Sequence, residues 1–72
     1  MDVKYEDLAN AIVLTAVKDY REALKVLKKH PKNSRASYTK LEIEFFFLSS
    51  WYSALTDVDP NMLIEKLNQE VI

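Results

Sequence analysis

A chain without a single glycine among 72 residues has given up the cheapest way to turn a backbone, and that restricts what it can fold into. Glycine supplies the left-handed corners of tight hairpins and the close backbone approach of phosphate cradles. Its absence predicts helices joined by short polar connections, and it excludes the glycine-based nucleotide motifs. Two prolines, Pro31 and Pro60, punctuate three segments of helical pattern.

The first segment, residues 5–30, repeats apolar side chains in steps of three and four: Tyr5, Leu8, Ala9, Ile12, Ala16, Tyr20, Ala23, Leu24 and Leu27. This is one face of a long helix, widened in its middle by Val13, Leu14 and Val17. Glu6 and Asp7 stand in its first turn and Lys25, Lys28, Lys29 and His30 near its end, the order the helix dipole favours. Pro31 stops it, because the residue before a proline is pushed out of the helical region. At about 1.5 Å per residue the helix spans about 40 Å, so more than one shorter helix is needed to cover it.

A second helix is expected after the polar stretch "HPKNSRAS", capped by Asn33 or Ser34. Tyr38, Leu41, Phe45 and Leu48, continuing to Tyr52 and Leu55, are its expected buried stripe. Phe46 and Phe47 do not both fit that face, so either most of the circumference is buried or one ring projects outward. Ser49 or Ser50 breaks the helix and caps a short turn. Asp59 caps a last helix with Pro60 in its first position and Leu63, Ile64, Leu67 and Val71 as its stripe. The expected architecture is all-α: a small three- to four-helix bundle with one long N-terminal helix, residues 1–72 forming a single domain.

Such a chain buries only about 60% of its unfolded surface, and without cysteine it has neither disulfides nor thiolate metal sites to strengthen it. Helix packing must suffice, completed in one reading by a second copy of the chain. No apolar run approaches the roughly 18 residues of a membrane span. The acidic start is unlike a basic signal segment, so an intracellular location is expected.

The net charge of −1 conceals an asymmetry. Residues 18–40 hold eight basic side chains against two acidic, a local balance of +6, and the remainder is at −7. Lys25, Lys28, Lys29, Lys32 and Arg35 are therefore candidates for contact with nucleic acid or an acidic partner. The same lysines also suit a helix C-terminus and a solvated loop, with Arg21 and Lys25 paired to Glu22 or to acids of the second helix. The scarcity of arginine weakens the nucleic-acid reading.

No catalytic residue, cofactor site or metal site is expected. His30 is the only histidine and lies at a helix end. The serines read as caps, and the spaced acids Asp57/Asp59 and Glu42/Glu44 form no ligand pattern. Five of the eight aromatic residues fall in "FFFLSSWY". Most of these rings suit a bulky core, with Phe47, Trp51 or Tyr52 left partly exposed as the anchor of a protein partner.

The segments "LANAIVLTAVKDYREAL" and "EIEFFFLSSWYSALTDVDPNMLIEKL" resemble a group of small helical proteins of phages and integrative elements of Gram-positive bacteria. In that group an "AIVLQAVKDYR"-like helix precedes "FFxSxWFxxLTxxDxxxLIxKL". The likeness runs from Leu8 to Leu67, with Pro60 standing where members commonly carry glycine. The resemblance implies a bacterial cytoplasm and an accessory or regulatory interaction role, and it carries no activity, substrate or binding residue. Together these readings point to a non-enzymatic protein that binds another macromolecule, most readily a protein. Nucleic-acid binding through residues 18–40 is the alternative.

Overall fold

Residues 5–70 are described by a computed structural model, and Val71 of the stripe expected in the last helix lies outside them. Regular structure in this span is helical throughout: α1 over Tyr5–Lys29, α2 over Ser34–Phe47, α3 over Ser50–Leu55 and α4 over Pro60–Glu70. The chain is the expected all-α bundle with one long N-terminal helix.

Each boundary has a chemical cause. Before Pro31 the His30 amide still donates to the Val26 carbonyl at 2.7 Å, and the Asn33 amide then returns to the His30 carbonyl at 3.0 Å. Asn33 caps α2 by accepting from the Ala36 amide at 2.9 Å. Ser49 breaks the chain between α2 and α3. Its hydroxyl donates to the Phe46 carbonyl at 2.6 Å and accepts from the Tyr52 amide at 3.3 Å. Asp59 Oδ1 accepts from the Asn61 and Met62 amides at 2.9 and 3.3 Å, with Pro60 in the first helical position. No described residue has positive φ, so these connections need no glycine.

α2 returns antiparallel along α1. Ala23 and Ala36 line one shallow depression near the turn, whereas Ile12, Ala16, Ile43 and Phe46 line another farther along α1. Two alanines near the turn let the helices approach closely where the connection is shortest. The core takes Val17, Tyr20 and Leu24 from α1, Phe47 from α2, Tyr52 from α3 and Leu67 from α4. Tyr20 and Phe47 meet edge to face with ring centres 5.6 Å apart, and Phe47 and Tyr52 do the same at 5.6 Å. Tyr5 and Leu8 belong to the expected stripe of α1 yet stay exposed, because α1 outruns the shorter helices packed on it.

The orientation of α2 corrects the sequence reading. Tyr38, Leu41, Phe45 and Leu48, the expected buried stripe, point outward, while Phe46 and Phe47 face the core. Apolar residues lie on two opposite sides of this helix, so periodicity alone does not choose between them. A polar cluster does. The buried Tyr20 hydroxyl donates to Glu44 Oε2 at 2.6 Å and accepts from Asn68 Nδ2 at 3.0 Å, and Lys40 Nζ donates to the same Glu44 oxygen at 2.8 Å. Lys40 and Glu44 must therefore face α1, which turns the Tyr38 side away. Beyond the helix the break at Ser49 resets the phase, so Tyr52 turns inward although it continued the outward stripe by spacing.

Burial and then the hydrogen bond to Glu44 push the Tyr20 phenol up to about 12. Burial also raises Glu44, but hydrogen bonds from Lys40 and Tyr20 outweigh it and leave the carboxyl below its ordinary value. The Glu44 contribution to stability is thus present above pH 4.5, its ordinary value, and is lost as pH falls through the lower folded value. The Tyr20 contribution is full below pH 10 and is lost as pH rises toward about 12. Urea midpoints measured across pH are expected to fall in both windows, and Glu44→Gln is expected to flatten the acid limb. At neutral pH, Tyr20→Phe is expected to lower stability by about 1–2 kcal/mol in the same titrations.

Candidate interaction surface

The structure divides the aromatic segment between core and solvent. Phe47 and Tyr52 are 0% and 1% exposed, so neither is available to a partner, contrary to expectation. The physical reason is their mutual packing: Phe47 lies between Tyr20 and Tyr52, and Phe46 meets Tyr52 edge to face at 5.9 Å. Trp51, the third expected anchor, is 64% exposed.

The outward row of α2 is the one that spacing assigns to the interior. Tyr38, Leu41, Phe45 and Leu48 follow one another in steps of three, four and three on the outer side of α2, and Trp51 comes three residues later at the start of α3. Their exposures run from 49 to 67%. The four side chains on α2 together present roughly 450 Å², within the range of the largest apolar patch on a monomer. A signal for this arrangement lies in the sequence. Lys40 and Glu44 form a pair at helical spacing on the opposite side of the same helix, and a buried tyrosine needs such a partner.

The basic residues are placed as expected but are partly answered by acids. Lys25, Lys28 and Lys29 close α1, Lys32 lies in the turn and Arg35 opens α2, all exposed. Arg35 lines a depression together with Lys18, Asp19 and Glu22, so negative charge adjoins it. Arg21 binds Glu70 of α4 with two hydrogen bonds at 2.8 and 3.2 Å, rather than Glu22 or an acid of the second helix. The Arg21 guanidinium holds the Glu70 carboxyl below the usual range. With both side chains about half exposed, this pair contributes little stability. Among the described residues Lys25, Lys28, Lys29 and Lys32 enter no ion pair.

His30 is exposed in the turn. Among the described residues no three potential metal-binding side chains cluster, and no described helix is long and apolar enough to cross a membrane. The Tyr52 hydroxyl is buried without a hydrogen-bond partner, and burial, then the charge of Asp59, push this phenol up. No protein-family model matches the chain, and neither does a curated protein or a solved structure.

Core and surface roles make opposite predictions for neighbouring aromatics. Phe47→Ala is expected to cost about 3–5 kcal/mol, enough to unfold much of so small a chain, whereas Trp51→Ala is expected to change stability by less than about 1 kcal/mol. Tyr52→Phe removes an unsatisfied buried hydroxyl and is expected to be neutral or stabilising by up to about 1 kcal/mol. Thermal melts and urea titrations of the three variants check all of these.

Proposed function

We propose that this protein is a non-enzymatic interaction protein that binds another polypeptide through the outer face of α2 and Trp51. One observation carries the reading: Tyr38, Leu41, Phe45 and Leu48 face solvent across α2 from the core, and Trp51 is exposed at the start of α3, so that five large apolar side chains, three of them aromatic, stay outside the core. Aromatic side chains in such a row are the usual anchors of protein interfaces. The resemblance to proteins of phages and integrative elements adds the setting: an accessory protein of a mobile element, acting in a bacterial cytoplasm.

A second reading draws on the exposed lysines at positions 25, 28, 29 and 32, which enter no ion pair among the described residues. Nucleic-acid binding there requires steep salt dependence, and Asp19 and Glu22 beside Arg35 oppose it.

A photo-crosslinking side chain at Phe45 tests the proposal in producing cells, with Glu65, exposed on α4, as the control position. A polypeptide adduct is expected from position 45 and none from 65. No adduct at 45 above the control overturns the reading, and salt-sensitive binding of a DNA duplex at about 50 mM salt moves the function to the lysines.

A further inference from the structure

We draw no further inference here: the strongest candidate, the outer row of Tyr38, Leu41, Phe45 and Leu48 on α2, belongs to the surface already proposed for a polypeptide, and nothing in the structure shows what covers it.

Discussion

Burying the Tyr20 ring between helices obliges the bundle to find partners for its hydroxyl, and two other helices supply them. Glu44 accepts its proton from α2 and Asn68 donates to it from α4. Leaving such a hydroxyl unmet costs about 1–3 kcal/mol, a large share of what a chain this small has in reserve. The requirement fixes the rotation of α2 about its own axis and brings the last turn of α4 against the middle of α1. Tyr52 shows the contrasting solution. Its hydroxyl goes without a partner, and the packing of its ring on Phe46 and Phe47 must outweigh the loss.

Element boundaries were legible because local chemistry decides them. Pro31, Asn33, Ser49 and the Asp59–Pro60 pair each act within three residues of where they stand in the chain. The facing of α2 was not legible from periodicity, since Tyr38, Leu41, Phe45 and Leu48 make as regular a stripe as the residues that are actually buried. What separates the two sides is an interaction between Tyr20 and Glu44, 24 residues apart, and the apolar spacing within α2 carries no trace of it beyond the Lys40–Glu44 pair. The candidate surface suffered the same way. Phe47 and Tyr52 were read as possible anchors although the Ser49 break turns Tyr52 inward, and only Trp51 stayed on the outside. The lysines fell where their numbers placed them, but the partner of Arg21 lay 49 residues away in α4.

α2 therefore carries two separable messages. Its inner side, from Ala36 through Ile43 to Phe47, specifies the fold, while its outer row touches nothing within the bundle that the fold requires. Substitutions on the outer row are free to alter association without disturbing the core. Those on the inner row reach Tyr20, and through it α4.

α4 is anchored by the fully buried Leu67, by Leu63 and Ile64 packed against the core, by the Asn68 amide and by a half-exposed ion pair at Glu70. Its departure strips Asn68 from the Tyr20 hydroxyl and admits water to the side of the core that Leu67 covered. α4 is thus coupled to the α1–α2 pair at one point, where loss of Asn68 leaves Glu44 as the hydrogen-bond partner that remains to the Tyr20 hydroxyl.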